Sequence, residues 1–93
     1  MSKNMISELI PNHEKRKSYY GKAKMQYKDD IVTLVSYDTD IVKLNQVTNE
    51  LEALCKVEDL SSTTLRHLRE FLKQNELGHI AKLTKKEIIQ SIF

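Results

Sequence analysis

The stretch Ile31-Val32-Thr33-Leu34-Val35-Ser36-Tyr37 decides the fold class. It is β-branched and apolar on what would be both faces of an extended chain, which predicts a central strand flanked on both sides. Upstream, from Ser18, the period is two. Tyr19, Gly21, Ala23, Met25 and Tyr27 fall on one face, and Tyr20, Lys22, Lys24, Gln26 and Lys28 on the other. That alternation predicts a half-buried strand, and Gly21 within it a bulge or a close neighbour. Lys28-Asp29-Asp30 reads as one turn and Asp38-Thr39-Asp40 as a second, after which Ile41-Val42-Lys43-Leu44 returns as a third strand. Two short connections imply an antiparallel meander. Thr48–Val57 fits two patterns. Leu51, Leu54 and Cys55 suit a helix, whereas Leu51, Ala53, Cys55 and Val57 suit a strand; a fourth strand over Leu51–Val57 is the preferred reading.

Downstream, the period lengthens. Leu65, Leu68, Phe71 and Leu72 share one side of a helix over Thr63–Asn75, with Ser61-Ser62-Thr63-Thr64 offering N-caps beside Glu58 and Asp59. Asn75 and Gly78 supply its stop. A second helix is specified in more detail: Thr84 as N-cap, Glu87 completing a capping box, and Leu83 stapled onto Ile88. Its apolar side is Ile88, Ile89, Ile92 and Phe93. At the other end, Met5, Ile6, Leu9 and Ile10 recur at helical spacing before Pro11 and Asn12, predicting a short N-terminal helix or a flexible arm. The chain is thus expected to be α+β: an antiparallel meander of three to four strands followed by two C-terminal helices. Within one domain of 93 residues, residues 1–17 form the helix or arm, 18–57 the meander and 61–93 the helical pair.

With 40% hydrophobic residues, only two glycines and one proline, the chain is too apolar to be disordered. No run reaches the roughly 18 apolar residues of a membrane span. Met1–Ile10 carries Glu8 and lacks the apolar core and cleavage site of a secretory signal. One cysteine permits no internal disulfide, which suits a reducing interior. A cytoplasmic location is the expectation.

The polar residues do not form a recognisable catalytic or metal-binding pattern. Cys55 alternates with Leu51, Ala53 and Val57 as a small core residue would. His13, His67, His79 and Cys55 have no zinc-ligand spacing. His67 and Glu70 make an H-x-x-E pair, but a carboxylate-bridged metal site needs a second one, so a surface i, i+3 contact is expected. Asp29, Asp30, Asp38 and Asp40 stand in turns, where such residues bond their own backbone. Lys43 has Ile41, not an acid, two positions before it, unlike the common nuclease pattern. Two isolated glycines make no phosphate loop. No enzyme, metal or cofactor is predicted.

What remains is surface. Net charge is only +2, so the distribution of charge matters more than the total. Arg66, Arg69 and Lys73 form a basic stripe on the first C-terminal helix, Lys85 and Lys86 (with Lys82) start the next, and Lys22, Lys24 and Lys28 line a strand face beside Tyr20. Tyr20, Lys22, Lys24, Arg66, Arg69, Lys73, Lys85 and Lys86 are therefore the candidate partner-binding residues, although outward charges are also the ordinary solvated surface of a soluble domain.

Three stretches resemble a family of short phage and prophage proteins of low-GC Gram-positive bacteria, itself without an assigned function. They are Ser18-Tyr19-Tyr20-Gly21-Lys22-Ala23-Lys24, Ser36-Tyr37-Asp38-Thr39, and Ser62 to Asn75 followed by Thr84-Lys85-Lys86-Glu87. The resemblance implies a mobile-element setting and carries no site residues. By analogy, small phage accessory proteins often act by stoichiometric binding, including as anti-CRISPR inhibitors of host defence nucleases. A protein–protein binding module of that kind is the leading expectation. The alternative is a nucleic-acid-binding accessory protein using the basic C-terminal helices. A second copy of the chain is a further partner to consider, since a small sheet with two helices can leave a face or edge uncovered.

Overall fold

A computed structural model describes residues 4–93. Five strands, β1 (Asn4–Glu8), β2 (Ala23–Lys28), β3 (Ile31–Ser36), β4 (Thr39–Asn45) and β5 (Leu51–Ala53), make one sheet in sequence order. Every neighbouring pair is antiparallel. A 3₁₀ turn (Val57–Asp59) leads into α1 (Ser62–Gln74), a short α2 (Gly78–Ala81) and α3 (Lys85–Ile92). The α+β class, the meander and the central place of β3 agree with the sequence pattern; the strand count, at five, exceeds it.

The register separates two faces. Met5, Tyr27, Val32, Leu44 and Leu51 align across one row, and Ser7, Met25, Leu34, Val42 and Ala53 across the next. These point to the helices, where Val32, Leu34 and Leu44 join Leu68, Phe71, Leu72 and Ile88 in the core. The register between β3 and β4 shifts after Leu34, so that Leu34 pairs with Val42 but Val35 with Asp40. Ile41 is the extra residue, and this bulge lets consecutive Ile41 and Val42 both be buried. The β3–β4 turn centres on Tyr37 and Asp38, both at positive φ (50° and 66°), as a type I′ hairpin requires. It lies one residue earlier than the spacing predicts.

Several expectations are corrected. The N-terminal helix is strand β1 over the described residues, while its first part, Met1–Lys3, lies outside them. Met5, Ile6, Leu9 and Ile10 suit a strand equally well, because Met5, Ser7 and Leu9 can alternate inward, and pairing with β2 settles the choice. The second strand starts at Ala23 rather than Ser18; Tyr20 (φ 55°) and Gly21 (φ 73°) form a turn closed by Lys22 N–H donating to Tyr19 O at 3.0 Å. β5 stops at Ala53, and Cys55 beyond it packs half-buried against the core. The α3 capping box is as predicted, Thr84 Oγ1 accepting from Glu87 N at 3.2 Å while Glu87 Oε1 accepts from Thr84 N at 3.0 Å.

The core and the cap should separate cleanly in chemical denaturation. Phe71→Ala, at a fully buried site, is expected to lower stability by about 3–5 kcal/mol, and Thr84→Ala by about 1 kcal/mol through its lost cap. Equal losses from the two would contradict this division.

Candidate interaction surfaces

The side of α1 facing the β1–β2 connection (residues 9–22) carries an unusual load of buried polarity. Ser36, Thr64, His67 and Glu70 are all buried, the last at 1% side-chain exposure. His67 and Glu70 do not form the expected surface pair. Glu70 turns to the connection, where Oε1 accepts from His13 N at 2.9 Å and Oε2 lies 2.7 Å from His13 Nδ1. Gln74 Nε2 donates both to Glu70 Oε2 (2.8 Å) and to Ile10 O (2.6 Å). Burial pushes the Glu70 carboxyl up, but the hydrogen bonds from His13, Gln74 and Asn12 outweigh it and hold it below the usual range.

His67 turns to the sheet. Its Nδ1 shares a 2.8 Å hydrogen bond with Ser36 Oγ, which is 3.2 Å from Thr64 Oγ1. The ring is flanked by Tyr19 (centroids 4.5 Å apart) and stacked with Tyr37 (5.8 Å). Desolvation, with Arg66 and Arg16 adding to it, lowers its pKa and so favours the uncharged ring. Tyr19 in turn donates to Glu14 Oε2, and burial together with that carboxylate raises the phenol's pKa. No described side-chain N or O atom shut off from water lacks a partner. The network is thus saturated by its own members, which suits a clamp holding α1 to the connection and to β3. His67 also had a sequence signal: it stands three residues after Thr64 and four before Phe71, inside the buried stripe.

The predicted partner-binding residues divide between the two sides of the sheet. Lys24 lies on the face away from the helices, in register with Glu8, Val35 and Asp40, and Tyr20 (81% exposed) and Lys22 stand at the turn preceding β2. Arg66, Arg69 and Lys73 line a groove of about 570 Å³ along α1. Its other lining residues are Ser62, Leu65, Glu70 and, from the connection, Glu14, Lys15 and Arg16. Lys15 and Arg16, which belong to the span 1–17 expected to be a helix or flexible arm, are thereby placed opposite the stripe. Within the stripe the roles differ. Arg66 Nε lies 3.8 Å from Glu14 Oε1 and stays half exposed. Arg69 donates to the carbonyls of Ala81 and, at 2.7 Å, Leu83, fastening the end of α2 and the α2–α3 connection to α1. Lys85 and Lys86 are exposed in the first turn of α3.

No described element covers the opposite face of the sheet. Ile6, Gln26, Thr33, Lys43 and Glu52 form its middle row, with Lys28, Ile31 and Asn45 beside them. A depression of about 780 Å³ crosses β1 to β3 there, lined in part by Ile6, Gln26, Ile31 and Thr33. β1 is also an edge to which no described strand pairs on its outer side. Leu9 N donates to Ala23 O at 2.9 Å, so strand alternation turns Met5 and Ser7 toward β2 and leaves the N–H and C=O of Ile6 and Glu8 outward. Met5 and Ile6 are 58% and 67% exposed.

Among the described residues no three His, Cys, Asp or Glu side chains converge as a metal site, and no helix is long and apolar enough to cross a membrane. Cys55 has its thiol pKa raised by burial, with Asp59 adding to it. The molecule is therefore of the one-sided α+β class, a meander with helices on one face and two open surfaces, one cationic and one an apolar edge. The chain belongs to a family of unknown function, DUF8033, which it matches over residues 7–91. Neither a curated protein nor a solved structure matches it.

The lowered pKa of His67 makes stability depend on pH. An unfolded histidine titrates near about 6.5, above the folded value, so the unfolded chain takes up a proton first. Stability should fall as pH drops below about 6.5, by at most about 1.4 kcal/mol per pH unit, until the folded pKa is passed. Glu70, depressed in the fold, should add a second loss below the unfolded carboxyl value of about 4.3. Urea unfolding across this range checks both phases. In His67→Gln the upper phase should diminish and the lower persist; an unchanged upper phase would refute the assignment.

Proposed function

We propose that this protein acts by stoichiometric contact with another protein, which adds an extended segment to the β1 edge and covers the open face of the sheet. The observation that supports this most directly is the edge itself. Natural edge strands are usually blunted by lysine, proline, a bulge or a covering element. From Met5 to Glu8 there is neither lysine nor proline, the strand pairs regularly with β2, and its two apolar residues, Met5 and Ile6, are both exposed. An added strand would be held by the outward groups of Ile6 and Glu8, while the rest of the partner, lying over the open face, would meet the partly apolar Ile31 and Val35 of β3. The proposal extends to the kind of partner. The resemblance to phage and prophage proteins favours a host defence protein, a CRISPR effector or similar nuclease complex, inhibited by occupation of its surface. Contact without turnover is the whole of the activity proposed.

The edge can be tested without touching the core. Ile6→Pro removes an outward donor and no bond to β2, so the fold should persist by circular dichroism while the partner is lost. Co-purification from host lysate should yield one protein in equal amount with the native chain and at least roughly tenfold less with Ile6→Pro. Equal recovery with the variant, or no stoichiometric protein with the native chain, overturns the proposal. So does a concentration-dependent dimer broken by Ile6→Pro, because a second copy would then fill the edge.

A further inference from the structure

We infer that the groove between residues 14–16 and α1 binds the phosphodiester backbone of duplex nucleic acid without regard to sequence. This surface lies on the helical side of the sheet and is independent of the β1 edge. Its walls carry five cationic side chains and two carboxylates, and both carboxylates are engaged from within. Glu70 is held by His13 and Gln74, and Glu14 accepts from Tyr19. Lys15, Arg16 and Lys73 form no ion pair among the described residues. The Arg66–Glu14 contact, at 3.8 Å and half exposed, is weak enough to leave Arg66 available. Four cations, two from each wall, therefore face a common channel.

The lining chooses among anionic partners. A protein interface needs an apolar or aromatic anchor in its centre, and among the described residues this groove offers only Leu65. Phosphate recognition needs Arg, Lys and hydroxyl donors, which Arg66, Lys73 and Ser62 supply. Among the described residues no aromatic side chain lines it, so unstacked bases have nothing to lie on, and a paired backbone fits better than a single strand. From Arg66 to Lys73 the helix rises about 10 Å, roughly three phosphate steps of a duplex strand.

Neutralising four phosphates gives a salt slope of about −3.6, an affinity loss on the order of 100-fold between about 50 and 200 mM salt. Fluorescence anisotropy of the full chain with short labelled duplexes reads this directly, using two unrelated DNA sequences and one RNA duplex. Binding should be equal for the two DNA sequences and should fall with salt by that factor. The RNA arm tells which duplex form fits; failure of all duplexes to bind at the lower salt overturns the inference. Arg16→Gln with Lys73→Gln should flatten the slope by about two. Lys24→Gln with Lys28→Gln, on the opposite face, should leave it unchanged. Arg69 is spared because it holds the α2–α3 connection. An unaltered slope in the first pair, the same flattening in the second, or equal affinity for polyglutamate would each defeat the proposal.

Discussion

A carboxylate at 1% side-chain exposure in a chain of 93 residues constrains where the chain around it must lie. An ionised group so enclosed is tolerated only when paired and hydrogen-bonded. Glu70 finds its partners chiefly outside its own helix, in the backbone and ring of His13. The long connection between β1 and β2 must therefore lie along α1. Gln74 ties the same connection again at Ile10, and Tyr19, reaching Glu14 while flanking His67, ties it a third time. The cationic groove follows from this: Lys15 and Arg16 face α1 because Glu70 and Glu14 hold the chain beside them.

The same demand explains the asymmetry of the molecule. Its specific polar bonds are concentrated between α1, the connection and Ser36 at the end of β3. The helices follow the strands in sequence and fold onto this one side. The other face keeps a mixed row of Ile6, Gln26, Thr33, Lys43 and Glu52. Such a row suits solvent or a partner, since it is too polar for a buried core and too apolar at β1 for a blunted edge.

How far the sequence could be read depends on whether a residue's role is local. β3, β4, α1 and the capped α3 were legible because periodicity, turn residues and caps act within a few positions. β1 was not, since Met5, Ile6, Leu9 and Ile10 satisfy both periods and only pairing with β2 distinguishes them. His67 and Glu70 read as a surface pair because their partners lie 31 and 57 residues away, at Ser36 and His13. The basic stripe was visible on the helix, but its opposite wall was not, because Lys15 and Arg16 arrive only through the fold. Of the eight residues singled out by charge and aromaticity, Arg66, Arg69 and Lys73 come together, while Lys24 sits across the sheet from them.

Arg69 shows why residue type alone cannot assign a role. Its guanidinium meets carbonyls at the end of α2 and in the connection to α3, where unsatisfied acceptors and the helix dipole favour a cation. It is a positioning residue for the C-terminal helices, and reversing the whole stripe would mix that role with any binding role. The two open surfaces lie on opposite sides of one sheet, so occupation of one does not obstruct the other. An edge suited to a protein strand and a groove suited to a phosphate backbone are together compatible with a nucleoprotein partner. A net charge of +2 gives little long-range attraction to such a target. Attraction would then come chiefly from the local charge of the groove, and the β1 edge would add its backbone contacts independently.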